Sequence, residues 1–258
     1  MKKILFAAVL FLFMASASGV QAGESSTTLL LATVDNFPPF TYRAEGKLTG
    51  VDIDLIDEMA RRIGVNVKIQ IYPWARVISS LSKGEIDGGF AAFETEERKE
   101  FCLYVGVLHF EEFYIFVRKG NEFSYSSVAD LYGKTIGKDR GVFVNAEFER
   151  AAKAGRIKLD EVNDMSMMNI KKLDAGRVDA AIGDLGVMRY YAKLLGVEKN
   201  IIPLKAIRKP TPAYLVLSKN SPLENKVELQ KKMQGALAEM RRDGTYKQIF
   251  DRHVAKSK

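Results

Sequence analysis

The stretch Leu81-Ser-Lys-Gly84-Glu-Ile86-Asp87-Gly-Gly-Phe90 recurs in a second form as Leu173-Asp-Ala-Gly176-Arg-Val178-Asp179-Ala-Ala-Ile182. In each copy the pattern predicts a helix that ends at a glycine in the left-handed conformation, followed by a strand of small and apolar residues that enters a core. An aspartate stands at the same position in both copies, and we expect it to fix the entry of each strand. A repeat of this kind predicts two α/β lobes.

A candidate charged residue follows each repeat. Arg98 ends the segment Phe93-Glu-Thr-Glu-Glu-Arg98, and Asp184 lies in Gly183-Asp184-Leu185. Because ligands of open α/β sheets bind beyond the carboxyl ends of the strands, we expect both residues to face one cleft. A fixed cation on one lobe and a fixed anion on the other suit a zwitterion held between them.

The order of strand and helix patterns predicts an α/β protein with two doubly wound lobes joined by two crossing strands. The apolar segments Phe113-Tyr-Ile-Phe-Val117 and Ala213–Leu217 are the predicted crossings. They imply that residues 23–116 and 210–258 form lobe 1 and that residues 117–209 form lobe 2. A hinge between the lobes follows from this geometry.

The first residues have the features of a cleavable secretory signal. Met1-Lys2-Lys3 is basic, Ile4–Met14 is apolar but too short to span a membrane, and Val20-Gln21-Ala22 offers a cleavage site. We therefore predict a signal peptide over residues 1–22 and a periplasmic mature chain after it. The only cysteine is Cys102, which leaves no intrachain disulfide and no lipid anchor near the cleavage site.

The charge balance argues against nucleic acid as a partner. The chain has 39 Lys and Arg against 32 Asp and Glu, and removal of Lys2 and Lys3 with the signal peptide leaves 37 against 32, a formal net charge of +5. Acidic residues interleave with the basic ones, and only Lys205-Ala-Ile-Arg208-Lys209 resembles a basic patch. A solvated surface accounts for this pattern better than a nucleic-acid interface.

Six motifs occur in order along nearly the whole predicted mature chain. They are Phe37-Pro-Pro-Phe40, Gly50-Val-Asp-Ile-Asp54-Leu, Trp74 before the first repeat, Thr95-Glu-Glu-Arg98, Val178-Asp-Ala-Ala-Ile-Gly-Asp184 and Asp243-Gly-Thr-Tyr-Lys-Gln-Ile249. Each motif is weak alone, but the ordered set resembles the extracytoplasmic solute-binding proteins of the polar amino acid uptake family. That family has the type 2 periplasmic binding protein fold.

The resemblance implies a function and a set of ligand contacts. In that family an arginine binds the ligand carboxylate and an aspartate accepts the amino group, and the matching positions here are Arg98 and Asp184. A guanidinium matches a carboxylate bidentately, and a carboxylate accepts several ammonium hydrogen bonds. Aromatic walls of the family's pocket match Phe37 and Trp74. The implied protein is a monomer that delivers an amino acid or related carboxylate to an ABC permease in the inner membrane.

The sequence departs from the family pattern around the expected carboxylate. Where the family has hydroxyl residues, this chain has Ala91-Ala92-Phe93-Glu94, and the family's Gly-Thr pair is replaced by Gly141-Val142. We therefore expect Ala92 and Val142 to contact the ligand through backbone amides, without hydroxyl donors. Arg76 and Glu94 add charges that could face the cleft and favour another ligand.

Two other functions stay open. The same fold includes enzymes similar to cyclohexadienyl dehydratase, in which a carboxylic acid assists loss of water and carbon dioxide, and Glu94 would be that acid if burial raised its pKa. An exported module that senses a ligand without serving a transporter is the third class. The sequence has no phosphate-binding loop, metal-ligand spacing or nucleophile with a partnered base. We therefore expect a binding protein with no cofactor and no metal, and not an enzyme.

Overall fold

A computed structural model describes residues 28–163 and 166–254. The predicted signal peptide over residues 1–22 lies outside the described residues. Within the described part, no helix is long and apolar enough to cross a membrane.

The described chain alternates strands and helices along most of its length, with a short 3-10 helix at Val128–Leu131. The strands are β1 (Thr28–Thr33), β2 (Asn36–Phe37), β3 (Thr41–Ala44), β4 (Lys47–Thr49), β5 (Asn66–Ile71), β6 (Gly88–Phe93), β7 (Cys102–Glu111), β8 (Phe113–Arg118), β9 (Thr135–Asp139), β10 (Lys158–Val162), β11 (Ala180–Asp184), β12 (Ile201–Ala206) and β13 (Thr211–Ser218). The helices are α1 (Val51–Ile63), α2 (Trp74–Lys83), α3 (Glu96–Phe101), α4 (Ala146–Lys153), α5 (Met167–Asp174), α6 (Leu185–Leu194), α7 (Lys226–Arg242) and α8 (Thr245–Val254).

Two five-stranded sheets form the cores of two lobes. The first has the strand order β5-β1-β6-β13-β7, and the second has the order β10-β9-β11-β8-β12. In both sheets the first three strands are parallel, the fourth is antiparallel to both of its neighbours, and the fifth therefore runs in the direction of the first three. A small antiparallel sheet, β2-β3-β4, adjoins the first lobe. The architecture confirms the predicted α/β class with two doubly wound lobes.

The two sequence repeats have matching structures. A carboxylate oxygen of Asp87 accepts a hydrogen bond from the Leu30 backbone N–H over 2.9 Å, and Asp179 accepts one from the Thr135 N–H over 2.7 Å. Each aspartate therefore joins its loop to the start of the neighbouring parallel strand. A glycine with positive φ ends or follows the preceding helix in both copies.

The chain passes between the sheets twice. Glu112 separates β7 of the first sheet from β8 of the second, and residues 207–210 separate β12 from β13. The predicted boundary after residue 116 lies inside β8, whose pairing partners β11 and β12 are both in the second sheet. We therefore move the first change of lobe to Glu112. The other predicted boundary, before residue 210, lies within the second connection.

The C-terminal helices complete the first lobe. Helix α7 packs on α1 and β7, and α8 packs on α1 and α7. The buried stripe of α7 has the three- and four-residue spacing of an amphipathic helix. It consists of Leu229, Met233, Ala236, Leu237 and Met240.

Candidate functional site

The lobes meet over a small cavity. Its volume is about 20 Å³, enough for a single water molecule. Because small-molecule sites have volumes of roughly 300–1,000 Å³, an amino acid could enter only when the lobes separate. Eight residues line the cavity, namely Val34, Phe37, Trp74, Ala91, Phe93, Glu111, Phe113 and Val142.

Arg98 is buried at the junction of the lobes, with 4% of its surface exposed. Thr95 caps helix α3 by accepting a hydrogen bond from the Arg98 backbone N–H over 3.1 Å. The guanidinium donates from Nη1 to the carbonyl of Phe93 over 3.2 Å and from Nη2 to the carbonyl of Gly141 over 3.3 Å. Burial lowers the pKa of this guanidinium below its usual value. The residue predicted to bind a carboxylate thus also joins one lobe to the other.

Asp184 is buried at the start of helix α6. One carboxylate oxygen accepts hydrogen bonds from the N–H groups of Gly186 (2.9 Å) and Val187 (3.1 Å), and the other accepts one from Glu112 (2.9 Å). Burial raises the pKa of this carboxyl, while the three backbone N–H groups act in the opposite direction. Asp184 therefore caps helix α6 and holds the first inter-lobe connection in place through the Glu112 N–H.

The two aromatic residues that the sequence predicts as pocket walls lie at the cavity. Phe37 and Trp74 line the cavity, as does Val142. Ala92 is buried in β6 and is not among the lining residues, whereas its neighbour Ala91 is. Ala91 has a φ of +65°, a left-handed value that a non-glycine residue rarely adopts. The structure thus brings together three of the predicted residues here and replaces Ala92 by Ala91.

The two extra charges lie apart from the cavity. Arg76 is exposed, with its guanidinium 4.1 Å from the centroid of the Tyr72 ring. Glu94 is exposed and pairs with Nζ of Lys99 over 2.9 Å. Neither residue is among those that line the cavity.

A larger groove of about 760 Å³ lies between the lobes and shares Val142 with the cavity. It has the volume of a small-molecule site. Arg98 and Glu94 lie on its first-lobe side, and Gly141 and Phe143 lie on its second-lobe side. The groove and the cavity together form the inter-lobe cleft.

Glu111 is the only ionisable residue among those that line the cavity. It lies on β7, with 3% of its surface exposed, and its carboxylate is 3.5 Å from Nε2 of His109, an ion-pair distance without hydrogen-bond geometry. The other ring nitrogen of His109 is hydrogen-bonded to Asp52 over 2.9 Å. A buried row of three ionisable groups therefore runs from helix α1 to the cleft.

The charges in this row depend on one another. Burial raises the pKa of Glu111 to about 7, although the His109 side chain opposes the rise. Burial alone would lower the pKa of His109, but the carboxylates of Asp52 and Glu111 outweigh it and raise that pKa to about 10. Both acidic neighbours therefore favour the protonated form of His109.

Sequence analysis missed Glu111 because it lies on a strand, β7, that carries no repeat and no motif. Its place could have been suspected from the pattern Leu108-His109-Phe110-Glu111, in which charged or polar residues interrupt an otherwise apolar segment. Sequence alone does not indicate that this segment ends at the cleft.

Arg208 is a second residue that no sequence motif places near the cavity, where its guanidinium packs on the rings of Phe93 and Phe113. It belongs to the apparent basic patch Lys205-Ala-Ile-Arg208-Lys209, yet its Nη1 donates to the carbonyls of Phe143 over 2.6 Å and Val144 over 2.9 Å. Burial lowers the pKa of its guanidinium to about 10. The patch is thus only partly a solvated surface.

No metal site is apparent in this part of the molecule. Across residues 28–163 and 166–254, no group of three or more His, Cys, Asp or Glu is placed to hold a metal ion.

Two α/β lobes, two connections and a cleft with a buried guanidinium between the lobes define a two-lobed solute-binding protein. The family model of bacterial extracellular solute-binding proteins, family 3, matches residues 29–256, and the chain belongs to this family.

Individual relatives are similar in sequence to nearly the full chain. The probable amino-acid-binding protein YxeM of Bacillus subtilis (strain 168) is 27% identical over 254 residues, which cover 97% of this chain and 93% of that protein. The putative amino-acid ABC transporter-binding protein PatH of Vibrio harveyi is 29% identical over 238 residues, with 91% and 90% covered. The solved structure of an ancestral arginine-binding protein bound to arginine is 32% identical, with a TM-score of 0.70 over 87% of this chain and 97% of that one.

Proposed function

We propose that this protein binds an amino acid or related carboxylate between its lobes and delivers it to an ABC permease in the inner membrane. It acts in the periplasm as a monomer after removal of residues 1–22. Closure of the lobes desolvates the ligand charges and forms the surface that the permease recognises.

The burial of Arg98 carries this proposal. Its guanidinium reaches only the carbonyl oxygens of Phe93 and Gly141 by hydrogen bonds, and in the described residues no carboxylate forms an ion pair with it within 4.0 Å. A buried charge is costly unless an opposite charge matches it. A ligand carboxylate would supply that match at the lobe junction. The names of the relatives, an amino-acid-binding protein and an amino-acid transporter-binding protein, agree with this ligand class.

The proposed contacts are a subset of those predicted from the sequence. Phe37, Trp74 and Val142 form the walls, Arg98 holds the carboxylate, and Asp184 accepts from the amino group with oxygen lone pairs that remain beside its backbone hydrogen bonds. Arg76 and Ala92 are left out because they line neither the cavity nor the groove, and Glu94 is left out because it is exposed in the groove and already paired with Lys99.

The test is a thermal-shift screen of residues 23–258 against amino acids, polyamines, dicarboxylates and prephenate, followed by calorimetry on each hit. A ligand at about 100 times its Kd should raise Tm by roughly 5–10 °C, because it binds only the folded state. Arg98→Ala should abolish the shift while Arg61→Ala, which removes an exposed ion pair with Glu58, should leave it intact. Equal shifts in both variants would contradict the proposal.

Delivery to a permease needs a separate test in the host bacterium. Deletion of the gene should abolish uptake of the labelled ligand found in the screen, and a plasmid copy that includes residues 1–22 should restore it. A copy without those residues should stay in the cytoplasm and should not restore uptake. Normal uptake in the deletion strain would instead favour an exported sensor.

The dehydratase alternative loses its predicted acid, because Glu94 is exposed and paired with Lys99. Glu111 is the one group near the cavity whose environment suits a general acid at neutral pH, with a pKa raised by burial to about 7. Incubation with prephenate or arogenate checks this alternative directly. We expect no aromatic product, and turnover that is lost in Glu111→Gln would overturn that expectation.

A further inference from the structure

Arg208 lies in the second connection between the lobes and touches both of them. Its guanidinium carbon is 4.1 Å from the centroid of the Phe93 ring and 4.0 Å from that of Phe113. Both rings line the cavity. Its Nη1 donates to the carbonyls of Phe143 and Val144 in the second lobe. The guanidinium therefore packs against two rings of the cavity wall.

One edge of this guanidinium has no partner. Nε and Nη2 of Arg208 are buried, and neither donates a hydrogen bond to any described residue. These two nitrogens lie on one side of the planar guanidinium group, and together they can donate to the two oxygens of one carboxylate. Leaving two buried donors of a charged group unsatisfied is costly, so the site calls for an anionic acceptor.

The surrounding charges point to the same kind of acceptor. The nearest opposite charges are Glu111 and Asp184, which raise the pKa of Arg208, but neither forms an ion pair with it within 4.0 Å. Glu111 is engaged with His109, and Asp184 binds three backbone N–H groups. The positive charge of Arg98 repels that of Arg208 across the same region. A ligand with two negative groups would match both guanidinium groups.

We propose that Arg208 is a second anion anchor of the cleft, and that the ligand carries two carboxylates, one held by Arg98 and one by the Nε–Nη2 edge of Arg208. This inference rests on the proposed binding function and narrows its ligand class to dicarboxylates, including acidic amino acids. The ancestral arginine-binding protein binds a ligand with a positively charged side chain. The ligand proposed for this chain would carry a negative charge in that place.

The test is calorimetry with matched ligand pairs, L-glutamate against L-glutamine and glutarate against butyrate. The wild-type protein should prefer the dicarboxylate of each pair. Arg208→Gln should weaken glutamate binding by at least ~30-fold, because a buried charge pair loses one partner, while glutamine affinity changes by less than about threefold. Arg208→Lys keeps the charge without the fork and should give an intermediate loss for glutamate.

The matched control is Arg156→Gln. Arg156 is an exposed second-lobe arginine that also stacks on an aromatic ring, with its guanidinium 5.4 Å from the centroid of the Tyr132 ring. Replacement of Arg156 should change neither the glutamate affinity nor the glutamine affinity. Circular dichroism shows whether each Arg208 variant is folded, and the glutamine affinity shows whether it can still bind a ligand.

Each contrary outcome has a distinct meaning. If Arg208→Gln and Arg208→Lys weaken glutamate and glutamine equally, Arg208 only supports the structure and the inference is wrong. If the wild-type protein binds neutral or basic amino acids and rejects dicarboxylates, the inference is wrong and the proposed function stands. If no carboxylate binds at all, the proposed function fails together with the inference.

Discussion

Nη2 of Arg98, on the first lobe, donates a hydrogen bond to the carbonyl oxygen of Gly141, on the second lobe, over 3.3 Å. The residue proposed to hold the ligand is therefore also a direct link between the lobes in the closed form. Ligand binding and closure are coupled at this contact, because separation of the lobes removes one acceptor from a buried guanidinium.

Gly141 should be essential for closure. It has a φ of +77°, and a Cβ on it would lie 3.0 Å from Cα of Ala75 across the cleft. Gly141→Ala should lose about 1 kcal/mol of folding stability from backbone strain and, in addition, at least ~10-fold in ligand affinity from blocked closure. Calorimetry and urea unfolding measure the two effects separately.

Gly133→Ala is the matched control for that substitution. Gly133 has a nearly identical φ of +78°, but a Cβ there would have no neighbour within 4 Å. It should show the same loss of stability and unchanged affinity. Similar affinities in the two variants would mean that the Gly141 contact does not limit closure.

Asp184 should matter for folding as well as for binding. Asp184→Ala removes the cap of α6 and leaves the Glu112 N–H without its acceptor, so we expect a loss of about 2 kcal/mol or more in the free energy of unfolding. Asp184→Asn keeps one oxygen for the cap and should lose less. Asn145→Ala removes the cap of α4 and a longer hydrogen bond, 3.4 Å, from its amide to the Ile207 carbonyl, and should cost about 1 kcal/mol. Denaturant titration ranks the three variants, and an Asp184→Ala protein as stable as wild type would refute this role.

Folding stability should decline as pH rises from about 6.5 to 10. The pKa of His109 is raised to about 10 in the folded state from its usual value near 6.5, so its contribution is complete below pH 6.5 and is lost as the pH approaches 10. Glu111, with a pKa raised to about 7, acts in the same direction between roughly pH 4.5 and 7. Urea unfolding at pH 6, 7.5 and 9 measures the slope.

His109→Gln should flatten that slope above pH 7 and should lower stability by about 3–5 kcal/mol at pH 6, because Asp52 loses its buried, hydrogen-bonded partner. If this variant does not fold, Asp52→Asn provides the second test, since it should reduce the slope by weakening the attraction that raises the His109 pKa. A wild-type protein equally stable at pH 6 and pH 9 would contradict the prediction.

Cys102 should be unreactive in the folded protein. It is buried at the start of β7, and burial raises the pKa of its thiol to about 11, so little thiolate exists near pH 8. A thiol reagent should modify the native protein far more slowly than the protein in 6 M guanidinium chloride, where one equivalent should react at once. Rapid, complete modification of the native protein would show that this strand opens readily.

Much of the fold could be predicted from local sequence. The repeated glycine and aspartate positions specify a helix end and a strand entry within ten residues, and Asp87 and Asp179 do make the matching hydrogen bonds. The apolar pattern of Phe113–Val117 predicts a strand but not its sheet, because an apolar strand has no local feature that identifies its partners. Pairing alone places it in the second sheet and moves the lobe boundary to Glu112.

The sequence by itself determined the α/β class and the two lobes, and it predicted Phe37, Trp74, Arg98 and Asp184 as ligand contacts, because both depend on patterns and motifs that are continuous along the chain. Only the tertiary structure decided that Glu111 lines the cavity, that Arg208 packs on two of its rings, and that Glu94 lines the adjoining groove instead. Burial and the approach of charges from distant segments are properties of the packed lobes. No spacing within the sequence determines which side chains the closing of two lobes removes from water.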